Sequence, residues 1–307
     1  MIRRLAVIPP PALAPGDTVR VIAPSGPFDQ GPFDAGLAIL RKRYAVELSP
    51  GIDTRYRYLA GTQERRAGEF RHWLASGGLA TVCARGGFGA MHLLSELPPR
   101  LHDAGLLVGF SDITALHLAL QSRGVMSLHG PVVTQLGRQP PHAVERLFQL
   151  MELAEPAPPL HGTHAFAEGM AEGRLLGGNL SLVASLVGTP YLPDLRGAVL
   201  LLEDVGERPY RLDRMWTQLK LAGVLDAVSG IALGEFTGCE EKDASWSAED
   251  VLRELAQALG KPCVAGLPVG HGEVNLAVPL GVRVRLDAAA CTLTFLEAGV
   301  APRGRSS

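Results

Sequence analysis

Two hydrophobic periods take turns along the first half of the chain. The stretches "DTVRVIAP" (17–24) and "AVELSP" (45–50) hold short apolar runs bounded by turn residues and predict strands. Between them, "DAGLAILRKR" (34–43) has helical spacing. "GTQERRAGEFRHWLASGG" (61–78) also reads as a helix, which Thr62 can cap and Gly77 can end. "LATVCARGG" (79–87) is a strand running into glycines. A helix "AMHLLSEL", a strand "LLVGF", a helix "DITALHLALQSRG" and a strand "VMSLHGP" follow. Strand and helix in alternation predict a parallel sheet covered by helices on both faces.

The pattern changes after residue 140. Residues 141–170 carry one helical piece set among prolines and read as a linker. From 171 to 307 the signals are mixed. "GRLLGGNLSLVASLVGTP" is a strand, a glycine turn and a helix with Asn179 as a candidate cap. "GAVLLLEDVGE" is a strand ending in acids, "YRLDRMWTQLKLAGVL" a helix, and "VSGIALGEF" a strand. The tail "NLAVPLGVRVRLDAAACTLTFLE" alternates with period two, as an antiparallel hairpin does. The expected fold class is α/β: an N-terminal parallel, flavodoxin- or Rossmann-like sheet domain (1–140), then a C-terminal mixed α+β domain (171–307).

Composition narrows the function. With 47% apolar and 20% charged residues, the chain has ordinary globular character. Twenty-nine basic against 31 acidic residues give a net charge of −2, which argues against nucleic acid or an anionic membrane as partner. Cys83, Cys239, Cys263 and Cys291 are widely spaced and form no C-x-x-C pair, which fits a reducing compartment. The start "MIRRLAVIPPPALAPGD" is too broken for a signal-peptide core, and no apolar run reaches the length of a membrane span. A cytoplasmic protein is expected.

Ligands of parallel sheets bind at the carboxyl ends of strands, and three strand ends here carry unusual chemistry. The first is "ARGGFGA" (84–90). Gly86, Gly87 and Gly89 do not spell a dinucleotide fingerprint, and no phosphate-loop motif occurs, so a nucleotide-dependent oxidoreductase is poorly supported. Such a turn is either purely structural or aims backbone N–H groups at a developing negative oxygen. The second is Ser111, at the strand-to-helix corner Gly109-Phe110-Ser111-Asp112-Ile113. This resembles a nucleophile elbow without its last glycine, and the pattern also suits a helix cap. The third is "LLLEDVGE", where Glu203, Asp204 and Glu207 are equivalent by spacing. A serine nucleophile needs a base. Of nine histidines, His129 in "LHGP" and His271 in "PVGHGEVN" follow strands, His72, His92 and His117 fall in helical patterns, and His102, His142, His161 and His164 lie near loops. No zinc-binding histidine pair is present.

Together, "VIAPSGP", "ARGGFGAMHLL", "VGFSDITALHLAL", "LHGPVV", "GRLLGGNLSLVASLVGTPY", "LLLEDVGERPYRLDRMWTQLKLAGVL", "GIALGEFTGC" and "LPVGHGEVNLAVPLGVRVRLD" resemble the LD-carboxypeptidase family. This serine peptidase family includes muramoyltetrapeptide carboxypeptidases and microcin C immunity proteins. The resemblance runs from about 15 to 297, and Phe88 stands where tyrosine is common.

The resemblance implies an active site between the two domains and a triad of Ser111 as nucleophile, His271 as base and Glu203 as its orienting acid. The oxyanion hole it implies is the backbone N–H of Asp112 with that of Gly87, Gly86 being the alternative. It implies no metal or other cofactor, a homodimer, and a small peptide substrate: murein tetrapeptide, cut between the L-centre of a diamino acid and the terminal D-alanine during peptidoglycan recycling. The alternative within the family is a microcin C-type peptidyl-nucleotide hydrolase, which calls for an aromatic platform; the expected substrate loop, about 155–172, offers Phe166 and histidines but no tryptophan, which favours the carboxypeptidase. A non-catalytic peptide-binding protein on the same fold is the alternative of another class. For the free carboxylate of the leaving residue, Arg85, Arg208, Arg211 and Arg214 are candidates, with Arg85 favoured by its closeness to the glycine turn and ordinary ion pairing as the competing reading.

Overall fold

The computed structural model describes residues 7, 9–75, 77, 80–99, 101 and 105–303. His102 and most of the first eight residues fall outside that range.

The N-terminal half builds a sheet from β1 (Thr18–Ile22), β2 (Ala45–Leu48), β3 (Ala80–Cys83), β4 (Leu106–Gly109) and β5 (Ser127–His129). These five strands are parallel, in the order β5-β4-β3-β1-β2. Successive residues face opposite sides, so Val19, Val21, Val82 and Val108 pack into one core layer while Ile22, Cys83 and Leu107 pack into another. Helix α1 (Gln30–Arg41) covers the first layer with Phe33, Leu37 and Leu40, a spacing that keeps them on one stripe. Helix α2 (Gln63–Ala75) covers the second with Phe70 and Trp73. The Thr62 hydroxyl accepts from the N–H of Arg65, as the sequence suggests for a cap. Residues 90–96, expected as a helix, form a 3₁₀ helix. Helix α3 (Thr114–Gln121) follows β4 and is buried along almost its whole length.

After α4 (Val133–Leu136) and α5 (Pro141–Glu152), the chain enters a mixed eight-stranded sheet. Its strands are β6 (Leu160–His161), β7 (His164–Ala167), β8 (Met170–Asn179), β9 (Val199–Val205), β10 (Gly230–Thr237) and β11 (Cys263–Ala265), then, beyond a short strand β12 (Val278–Leu280), β13 (Arg283–Asp287) and β14 (Thr292–Phe295). Strands β8 to β11 are parallel; β13 and β7 flank them antiparallel. Leu200, Leu201 and Leu202 are all fully buried, the continuous apolar run of a strand covered on both faces. Helices α6 (Leu180–Ser185), α7 (Pro209–Leu221), α8 (Val224–Ala227) and α9 (Ala248–Leu259) complete this half. Asn179 caps α6 by accepting from the Leu182 N–H.

Two expectations change here. The stretch 141–170 is helix α5 followed by strands β6 and β7 of the second sheet, so its outer part belongs to the C-terminal fold. The alternating tail does form a hairpin, β13 with β14, but β12 leaves it. Val278–Leu280 pairs antiparallel with β5, at the edge of the first sheet. Each of the two hydrophobic core clusters contains residues from both halves, such as Val108 with Leu201 and Leu107 with Leu202.

Candidate active site

Ser111 stands where β4 turns into α3 through a single 3₁₀ turn, Ser111–Ile113. Its φ is +64°, a left-handed conformation that a non-glycine residue adopts only when its surroundings impose it. The cap positions of this turn and of α3 are Phe110 and Ile113, so the helix-cap reading does not describe Ser111.

The elbow is held from three sides. The Gly109 carbonyl accepts from the Gly130 N–H (3.0 Å) and from His117 Nε2 (2.8 Å). A carbonyl only accepts, so Nε2 of the buried His117 carries the proton. The buried Asp112 carboxylate accepts from Ser25 Oγ (2.6 Å) and the Ala90 N–H (2.8 Å), tying the elbow to the glycine turn. Burial pushes the Asp112 carboxyl up, and these two hydrogen bonds oppose that. On the third side lies Gly86. A Cβ there would come within 2.9 Å of Ser111 Cβ, so only glycine allows this approach. The turn itself is fixed by the Gly26 N–H on the Gly86 carbonyl (3.1 Å) and by buried Arg66 on the Gly89 carbonyl (2.8 Å).

His271 arrives from the connection between β11 and β12. Its Nε2 lies 3.1 Å from Ser111 Oγ and its Nδ1 2.6 Å from Glu203 Oε2. The Phe110 ring packs against the imidazole at a centroid distance of 4.7 Å. Glu203 is completely buried, whereas His271 keeps 15% of its side chain exposed. Desolvation pushes the Glu203 carboxyl up; the bond to His271 draws it back. A Cβ at Gly270 (φ +112°) would lie 2.4 Å from Glu203 Oε2, so the residue before the histidine must be glycine for the two side chains to meet.

The sequence reading missed the support beneath this loop. Asn275, fully buried, accepts from the Gly270 N–H (3.0 Å), while its own N–H donates to Gln139 Oε1 (2.8 Å) and its amide to Gln135 Oε1 (3.2 Å). Histidine from one half is thus anchored to glutamines from the other. The only cue was an asparagine in "HGEVN".

Other candidates fall elsewhere. His129 is wholly buried, and neither ring nitrogen has a partner among the described residues. Asp204 turns away from His271 to bind Asn179 Nδ2 and Ser181. Glu207 pairs with Arg211 (3.2 Å) and Glu241 with Arg208, the competing reading for both arginines. Arg214 stacks on Tyr210. Arg85 is exposed, donates to the Pro27 carbonyl and directly precedes Gly86. Phe166 is buried in β7 with the Arg253 guanidinium over its ring, so the aromatic residue of the 155–172 stretch is part of the core. Among the described residues, no three histidine, cysteine, aspartate or glutamate side chains gather as a metal site, and no helix is long and apolar enough to cross a membrane.

Comparison with known proteins places the chain in a family. Family models for the LD-carboxypeptidase N-terminal and C-terminal domains match residues 19–130 and 172–286. A putative carboxypeptidase of Synechocystis is 41% identical over 94% of this chain and 97% of its own length. The murein tetrapeptide carboxypeptidase of Pseudomonas aeruginosa is 37% identical over 88% of this chain and 92% of its own. The crystal structure of muramoyltetrapeptide carboxypeptidase from Oxalobacter formigenes superposes with a TM-score of 0.79 at 28% identity, covering 90% of this chain and 98% of that one. With a mixed α/β fold and both domain signatures in order, the chain belongs to the LD-carboxypeptidase family of serine-type peptidases.

Proposed function

We propose that this enzyme releases the terminal D-alanine of murein tetrapeptide by acyl transfer through Ser111. The observation that carries the reading is the continuous chain Ser111 Oγ, His271, Glu203, with contacts of 3.1 and 2.6 Å. His271 takes the serine proton as Oγ attacks the carbonyl of the diamino acid. Glu203 holds Nδ1–H and stabilises the imidazolium. The tetrahedral oxyanion rests on the N–H groups of Asp112 and Gly87 (Gly86 being the alternative to Gly87), held in advance by the elbow and the glycine turn. His271 then protonates the departing amine, and water, activated by the same histidine, frees the acyl group. Arg85, beside the turn, receives the free carboxylate of the leaving residue.

The test is mass spectrometry of the protein incubated with the tetrapeptide, its terminal amide and an aminoacyl nucleotide. Release of D-alanine from the free acid, strongly preferred over the amide, is expected. Arg85→Ala should abolish that preference. Ser111→Ala should lose about 10⁴–10⁶ in kcat with the fold intact. Near-normal turnover by folded Ser111→Ala overturns the mechanism. Cleavage of the nucleotide alone moves the assignment to peptidyl-nucleotide hydrolysis, and no labelling of Ser111 by a fluorophosphonate leaves a binding protein.

A further inference from the structure

Glu235 is a carboxylate beside the triad for which the described residues supply neither hydrogen bond nor ion pair. Its position comes from an irregularity in the second sheet. In the parallel pair β9–β10, Leu202 faces Leu233 and Asp204 faces Phe236. Two residues of β10, Gly234 and Glu235, therefore stand opposite the single residue Glu203. This is a β-bulge, a device that re-aims a side chain next to an active site. Gly234 abuts Glu203, since a Cβ on it would lie 3.1 Å from Glu203 Cβ. The Glu235 N–H donates to the Val269 carbonyl (3.0 Å), joining the bulge to the loop that carries His271. The side chain then runs along that loop: a Cβ on Gly272 would lie 2.8 Å from Glu235 Cγ and 3.3 Å from its Cδ.

Glu235 is half-buried, and desolvation pushes its carboxyl up with no neighbouring cation to offset it. Arginines elsewhere in this half are engaged with other groups: Arg208 has Glu241, Arg211 has Glu207, Arg253 has Glu249 and Asp250, and Arg214 stacks on Tyr210. A partly dehydrated carboxylate without a partner opposes folding. Its place against the residue after His271 makes a ligand the natural partner.

We propose that Glu235 is a specificity-determining residue that receives a primary ammonium on the acyl portion of the substrate. The charge fixes the side of the scissile bond. The leaving residue ends in a carboxylate, which a second carboxylate repels, so the cation must sit on the acyl side. On the tetrapeptide reading, on which this inference rests, the group is the side-chain amine of the diamino acid. An aminoacyl nucleotide would offer its α-amine instead. An ammonium there gains a charge-assisted hydrogen bond in a partly desolvated setting.

The experiment compares kcat/KM on the tetrapeptide with that on an analogue whose side-chain amine is replaced by a methyl group, which keeps the shape and removes the charge. Wild type should prefer the amine about 10–100-fold. Glu235→Gln should lose that preference, chiefly through a higher KM for the amine peptide, leaving the methyl analogue unchanged. Glu235→Asp should retain part of it. Equal cleavage of both peptides by wild type overturns the inference, as does an equal loss on both in Glu235→Gln, which would mark a role on His271 instead. The wild-type comparison decides alone if the variants do not fold. Absence of release from either peptide falls on the carboxypeptidase reading; the same amine-for-methyl comparison on an aminoacyl nucleotide then decides for Glu235.

Discussion

Ser111 and Glu203 show what a single position can and cannot reveal. The strand-to-helix corner made Ser111 visible in the sequence, but its left-handed backbone comes from contacts with residues far along the chain, Gly86 among them. Glu203, Asp204 and Glu207 were indistinguishable by spacing. What separates them is the alternation of β9: Glu203 points to His271, and its neighbour Asp204 points to α6. Glu235 left no sequence signal, because a bulge is a property of pairing between strands. Gly270 gives the sharpest expectation at this scale. Gly270→Ala places a methyl on Glu203 Oε2 and adds strain at φ +112°, so it should cost at least about 100-fold in kcat while leaving the bulk fold intact. Circular dichroism and steady-state kinetics on the purified variant check it; wild-type kcat would show that the Glu203–His271 contact is dispensable.

The helix α3 and strand β5 behind the elbow carry their own consequence. His117 and His129 are buried there, and burial holds His117 down at about 4 and His129 well below the usual range. As pH falls through about 6.5, unfolded chains bind protons that the folded protein refuses until about pH 4. The stabilisation is therefore complete above about pH 6.5 and declines between there and pH 4, by about 3 kcal/mol for His117. Burial raises Glu69, Asp112 and Glu203, which act in the opposite sense, so the comparison must be between variants. Urea titrations at pH 7.5 and 5 should show a smaller loss for His117→Gln than for wild type; parallel losses would dismiss the buried histidine as their source. At this scale the sequence was most readable where periodicity was clean, as in α1, α2 and β9. Helix α9 went unread although its capping box, Ser247 with Asp250, is a local signal. Strand β12 lies in the tail expected as a hairpin, but its partner β5 lies about 150 residues earlier, beyond anything periodicity reports.

Across the whole molecule, the two family-model regions are not two separate bodies. Strand β12 completes the first sheet, Asn275 is held by Gln135 and Gln139, and the nucleophile and its base come from different halves. A change in texture after residue 140 was legible, although the sheet of the second half takes in strands from before residue 171. The crossing between halves by one strand and one side-chain network was not legible, because neither alters local pattern.

Near the two ends of the described chain, Pro11 pairs with Ala301 in a parallel bridge, with the Ala12 N–H on the Ala301 carbonyl and the Ala301 N–H on the Pro10 carbonyl, each at 2.8 Å. In effect the backbone is a ring with a seam, and the seam can be moved. Joining residues 10 and 302 by a flexible linker and reopening the ring between Lys242 and Asp243, both exposed, should give a circular permutant that Ser111-directed fluorophosphonate still labels at close to the wild-type rate. Reopening it between Gln135 and Gln139 should not, because that cut separates the two glutamines that hold Asn275. Equal labelling of both permutants would mean that the unbroken link between Gln135 and Gln139 is dispensable for keeping His271 over Ser111.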